Sequence, residues 1–179
     1  MVPSRSQRIQ THRLLLRATE PGDAGRAFQI KSNWNVTRKL RMAAFPPDRR
    51  EMIQWFAVHG TEWLQGTAFR FAIQQQDRMI GLIDVDEISD HEGELGYWLD
   101  EAYWGQAFAL EAARAVAQFA FEQAGLNVLR SGHGADNPAS GRVLTKLGFR
   151  HIDDVTILSR ARGGHITQRR YSLAPSASA

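Results

Sequence analysis

The 179-residue chain has no cysteine, which excludes disulfides, thiolate zinc sites and a cysteine nucleophile. It also lacks any run approaching the ~20 apolar residues that a membrane-spanning helix requires, so no membrane association is expected. The opening MVPSRSQRIQTHR has no apolar segment of the kind a secretory signal carries, and a cytoplasmic protein is expected. The six histidines show no ligand spacing and suggest no metal. A continuous basic stripe with interleaved aromatics is missing as well. The formal charge of +3 therefore points to no nucleic-acid partner and suits a small polyanionic ligand equally well. The five tryptophans read as core or cleft wall rather than a nucleobase platform.

With 43% hydrophobic and 23% charged residues the composition is ordinary for a globular protein. Without repeat or linker the chain reads as a single domain, its core over about residues 10–173, its ends 1–9 and 174–179 flexible, the whole a monomer or homodimer. Arg13 to Arg17 reads as a first strand, Ala24 to Ile30 as a helix after Pro21, and Pro47 to His59 as a helix stopped by Gly60. FRFAIQQQDRMIGLIDVDEI reads as an antiparallel hairpin, with EGELGYWLD as the next strand. A long helix is expected over about Gly105 to Ala124. Its polar residues Glu111, Arg114, Gln118 and Glu122 fall three and four apart and form one solvated stripe, leaving the other faces to pack on a sheet. A strand at Val128 to His133 follows, then a helix opened by Asn137 as N-cap and Pro138 and closed by Gly148, with Val143, Leu144 and Leu147 facing inward. Two antiparallel strands around ARGG finish the chain. The fold class is α/β in the α+β sense, a largely antiparallel mixed sheet of about six to seven strands flanked by about four helices.

Three features carry possible chemistry. The strand ELGYWLD runs through EAYWGQAFA directly into the long helix, which aims unpaired N–H groups and the positive dipole end at one point, a natural place for an anion. The plain alternative is a tight connection that Gly105 merely permits. Asn137 and Ser140 are explained by helix capping alone or face a ligand. Glu94 sits on the solvent side of its strand, or faces the cleft and takes a proton from an amine. Arg38, Lys39 and Arg41 read as a solvated helix face; lining an entrance, they would disfavour a cationic acceptor.

The combination is more specific than its parts. Gly96 to Leu99 (GYWL), Trp104 to Ala112 (WGQAFALEA) and Asp136 to Phe149 (DNPASGRVLTKLGF) resemble the GNAT N-acetyltransferase superfamily, in its branch of RimJ/RimL-type ribosomal-protein N-terminal acetyltransferases. The resemblance implies an acetyl-CoA-dependent N-acetyltransferase acting on a primary amine, either a protein N-terminus or a small molecule, by direct attack in a ternary complex. It implies that the backbone N–H groups of Gly105, Gln106, Ala107, Phe108, Ala109 and Leu110 hold the CoA pyrophosphate. Tyr97, Trp98 and Leu99 would pair with the pantetheine arm, and Asn137 would bond the pantetheine region. Ser140 is the candidate acid for the leaving thiolate and Glu94 the candidate base.

The sequence departs from that pattern in three places. Ala107 replaces a glycine, Leu110 a common threonine, and Leu144 stands where many members carry a tyrosine acid. These departures motivate an alternative, a weak or inactive acyl-CoA sensor on the same fold. Alanine at 107 costs little if its angles are helical, whereas a positive φ would distort the loop and weaken CoA binding. The surrounding match favours helical angles.

Overall fold

Strands form where apolar, β-branched and aromatic residues gather, and the computed structural model, which describes residues 2–175, assembles them into one sheet. The strands are β1 (Arg8–Gln10), β2 (Leu15–Ala18), β3 (Phe69–Gln75), β4 (Arg78–Ser89), β5 (Glu92–Leu99), β6 (Val128–Gly134), β7 (Arg150–Ser159) and β8 (Gly164–Leu173). Their spatial order is β1-β2-β3-β4-β5-β6-β8-β7, and every neighbouring pair is antiparallel except β5 with β6. The helices are α1 (Ala24–Lys31), α2 (Trp34–Thr37), α3 (Arg49–Gln65), α4 (Phe108–Glu122) and α5 (Pro138–Leu147). Both faces of the central strands are covered. Ile83, Leu95 and Leu99 pack with Phe108, Val116 and Phe119 of α4; Leu82 and Trp98 pack with Ile30 of α1 and Phe56 of α3. Burial on two sides makes β4 a nearly continuous apolar run instead of an alternating one.

The mixed, mostly antiparallel architecture is as expected, but the sheet has eight strands rather than six or seven, and five α-helices rather than about four lie among the described residues. The additions are short. β1 is a three-residue edge and α2 a four-residue helix capped by Asn33, whose side chain accepts from the Asn35 N–H. The N-terminal stretch expected to be loose is seated: the Trp63 indole donates to the Pro3 carbonyl at 2.8 Å, and Arg5 donates to the Thr19 carbonyl. Of the expected flexible ends, residues 1 and 176–179 lie outside the described residues.

Two helix boundaries move. α3 runs through Gly60 and ends at Gly66, which has φ 69°. A mid-helix glycine costs only ~1 kcal/mol, and burial of Met52, Phe56 and Trp63 along the helix outweighs it. α4 begins at Phe108 and not at Gly105, because Gly105 (φ 74°) and Ala107 (φ 61°) are both left-handed. Its outer stripe is as expected at Arg114, Gln118 and Glu122, which are exposed, but not at Glu111, which is half-buried because its carboxylate is bonded to Thr11 and Arg13.

Candidate active site

The parallel pairing of β5 with β6 lasts only from Glu92↔Val128 to Glu94↔Arg130. Beyond it the strands diverge, while β5 stays paired with β4 as far as Leu99. Backbone groups two residues apart point the same way along a strand. The Leu95 carbonyl on the β6 side is taken by the Ser131 hydroxyl at 2.8 Å, and the Leu99 carbonyl by the Trp104 indole at 3.1 Å. Tyr97 lies between them in the same phase, so its backbone faces the opening. The opening is a cleft of about 530 Å³.

At one end of the cleft the connection from β5 turns through left-handed Gly105 and Ala107 into α4. The first four N–H groups of a helix have no partner within it, and alternating helical and left-handed residues aim successive N–H groups at one point. Ala107 is the residue preceding α4, with φ 61° and ψ 14°, so the expectation of helical angles there is wrong. A non-glycine residue in this region carries roughly 1–2 kcal/mol of strain. Its N–H donor is kept all the same.

The structure brings most of the sequence candidates together. Glu94, Tyr97, Trp98, Leu99, Gly105, Ala107, Phe108, Ala109, Leu110, Asn137 and Ser140 all line the cleft. Gln106 does not. Its side chain is exposed and its carbonyl accepts from Arg13 at 3.0 Å. Asn137 makes no capping hydrogen bond with its side chain, contrary to the capping reading, because its φ of −117° and ψ of 67° lie outside the usual extended cap geometry. Its amide is therefore left to the cleft.

Glu94 is half-buried and on the cleft wall, not on a solvated face. Burial pushes its carboxyl above the usual carboxylate range, with Glu87 and Asp86 adding to the rise and Arg41 opposing it. The segment Arg38 to Arg41 is not a helix face either. Lys39 and Arg41 line the cleft, and Lys39 Nζ lies 3.9 Å above the Trp104 ring. Arg162, in the turn between β7 and β8, donates to the Arg38 carbonyl at 2.8 Å and pairs with Asp136 at 2.9 Å, which ties the hairpin turn to this segment. Trp34 is 41% exposed, which departs from the core-or-cleft reading of the tryptophans.

Sequence reasoning missed the Tyr97 side chain. Its hydroxyl lies 2.7 Å from Ser140 Oγ, and burial pushes it up to about 12, against the opposing effect of the hydrogen bond it shares with Ser140. It thus stays protonated at neutral pH. Leu144, at the position of the absent tyrosine, is fully buried core. No spacing rule predicts a contact across 43 residues. Among the described residues no helix is long and apolar enough to cross a membrane.

A family model described as an acetyltransferase (GNAT) domain matches residues 13–150. An uncharacterized N-acetyltransferase, p20, of Bacillus licheniformis is 30% identical over 171 residues, 92% of this chain and 94% of that relative. A ribosomal-protein-serine acetyltransferase of Escherichia coli is 32% identical over 87 residues, 48% of this chain and 49% of that protein. The solved structure of RimL, a ribosomal L7/L12 alpha-N-protein acetyltransferase in complex with coenzyme A, superposes with a TM-score of 0.87 at 19% identity, covering 96% of this chain and all (100%) of that one.

Proposed function

The chain belongs to the GNAT family of acetyltransferases, and from that premise we propose that this acyltransferase moves an acetyl group from acetyl-CoA to a primary amine by direct attack. The observation that carries the reading is one continuous cleft lined by the left-handed loop, the open Tyr97 backbone, Glu94 and Ser140. The residues fit the donor. N–H groups of Gly105 and of Ala107 to Leu110 meet the diphosphate, the Tyr97 backbone and the Asn137 amide meet the pantetheine amides, and no metal is called for.

Glu94, its carboxyl raised by burial, takes the proton that the amine loses as its C–N bond forms. A backbone N–H of β5 stabilises the developing oxyanion. As the C–S bond breaks, the thiolate receives a proton from Ser140, whose oxygen takes the Tyr97 hydroxyl proton in the same step, and solvent returns a proton to Tyr97 afterwards. Positioning of the two substrates supplies much of the rate. The acceptor is a protein N-terminus or a small amine. Likeness to ribosomal-protein acetyltransferases supports the former, and Lys39 and Arg41 on the cleft wall disfavour polyamines.

The test is mass-spectrometric, with acetyl-CoA offered beside a panel of N-terminal peptides, amino acids and polyamines. Acetylated product supports the reading. Tight CoA binding without product from any acceptor would favour the sensor instead, and no CoA binding at all would remove both.

A further inference from the structure

The loop entering α4 holds Ala107 at φ 61°, a conformation alanine resists, so something outside the loop must fix it. We propose that Arg13 and Glu111 form a clamp that positions the CoA diphosphate loop from behind; this rests on the acetyl-CoA reading above. Glu111 lies in the first turn of α4, and its N–H donates to the Ala107 carbonyl at 3.1 Å. Its carboxylate receives three hydrogen bonds from the corner between β1 and β2. They come from the Thr11 hydroxyl at 2.6 Å, the Arg13 N–H at 2.7 Å and Arg13 Nε at 2.7 Å.

The other end of the Arg13 guanidinium donates to the Gln106 carbonyl at 3.0 Å, and its centre stacks 4.4 Å from the Phe108 ring. One side chain thus grips the residue before Ala107, the residue after it and the first helical turn. Partial burial of Glu111 works against its charge, but the bonds from Thr11 and Arg13 prevail and hold its carboxyl below the usual range. Neither residue lines the CoA cleft. Both face a separate groove that also holds Thr11, His12 and Arg114 and meets the cleft at Ala107. They are positioning residues, acting through the loop rather than on the donor.

A fixed loop presents its N–H groups ready aligned, and freeing it adds an ordering cost to binding. The test is a double-mutant cycle of Arg13→Ala and Glu111→Gln, read by CoA calorimetry and by hydrogen exchange of the loop amides 106 to 110. Each single change should weaken CoA about tenfold, the pair should be no weaker than either alone, and loop exchange should quicken while KM for the acceptor stays put. Arg13→Lys, which keeps the charge but loses the directed fork, should show the same loss and serves if Arg13→Ala does not fold. A loss in Arg13→Ala with Glu111→Gln unchanged would make Arg13 a direct phosphate contact and overturn the clamp. Unchanged affinity and exchange in both variants would overturn it too. If the unaltered protein binds no CoA, the acetyl-CoA reading fails, while the exchange rates still decide whether the pair holds the loop.

Discussion

The Tyr97 hydroxyl lies 2.7 Å from Ser140 Oγ and so ties β5 to the first turn of α5 at the point where β5 and β6 part. The contact places a protonated phenol behind Ser140, the serine proposed to protonate the departing thiolate. If the pair is one relay, Ser140→Ala and Tyr97→Phe should each lower kcat by roughly ten- to a hundredfold, with KM for acetyl-CoA nearly constant. The double variant should be no slower than the worse single one. Steady-state kinetics on the three variants decides, and multiplied losses would mean two independent roles.

Ala107 has left-handed angles, so replacing it by glycine relieves backbone strain. Ala107→Gly should stabilise the fold by about 1 kcal/mol, a rise of roughly 2–4 °C in Tm for a chain of this size. CoA affinity should move less than about threefold if the loop keeps these angles when CoA binds, since relief common to both forms cancels. Thermal unfolding and calorimetry check both parts. A lower Tm would contradict the left-handed assignment, and a large gain in affinity would show that the methyl group crowds the phosphates.

Legibility in the sequence followed the range of the forces involved. The central hairpin, α4 with its polar stripe and α5 with Gly148 were readable because periodicity and caps are local signals. Gly60 misled because a glycine that ends an isolated helix is overruled by Phe56 and Trp63 packing on both sides of it. β1 and α2 were too short for any period to register. At the site, the GYWL, WGQAFALEA and DNPAS segments marked the part of the cleft lining that β5, the loop and α5 supply, but not Ser131 to Gly134 of β6 or Ile157, Ile166 and Gln168 of the last hairpin. What they did not mark were pairings across the fold, Tyr97 with Ser140, Arg13 with Glu111 and Arg162 with Asp136, since these depend on which elements become neighbours. The angles of Ala107 were misjudged for a related reason: a tertiary clamp sustains what local preference opposes.

Glu94 is paired with Asp86 of β4 on one side and with Arg130 of β6 on the other, and burial raises its carboxyl. A base works only when deprotonated, so kcat/KM should rise with pH through a value above the ordinary carboxylate range and level off beyond it. Glu94→Gln keeps the shape and removes the base. It should lower kcat by about a hundredfold and abolish that acidic limb, leaving CoA affinity within about twofold. A pH profile of both proteins tests this; an unchanged acidic limb in Glu94→Gln would assign the base elsewhere.

Lys31, 9% exposed, lies under the cleft wall with its Nζ 4.4 Å from the Trp55 ring and 5.1 Å from that of Trp98. Burial lowers it to about 8, Asp84 opposing and Arg70 reinforcing the shift. Asp84 is already paired with Arg70, which also holds Glu62 at 2.9 Å and Asp86 at 3.0 Å, so Lys31 adds only a through-space attraction to a carboxylate that Arg70 bonds directly. The folded lysine sheds its proton near 8 whereas the unfolded chain keeps one to about 10.5. Between those values the unfolded state binds more protons, so stability rises with pH across the window and is lost as pH falls through 8. The full span corresponds to roughly 3 kcal/mol. Lys31→Met, similar in length and suited to aromatic neighbours, should raise the urea midpoint at pH 7 and flatten the rise between pH 8 and 10. Urea unfolding at pH 7, 8.5 and 10 measures both, and a less stable variant at pH 7 would show that the two tryptophan faces hold the charged amine more strongly than burial opposes it.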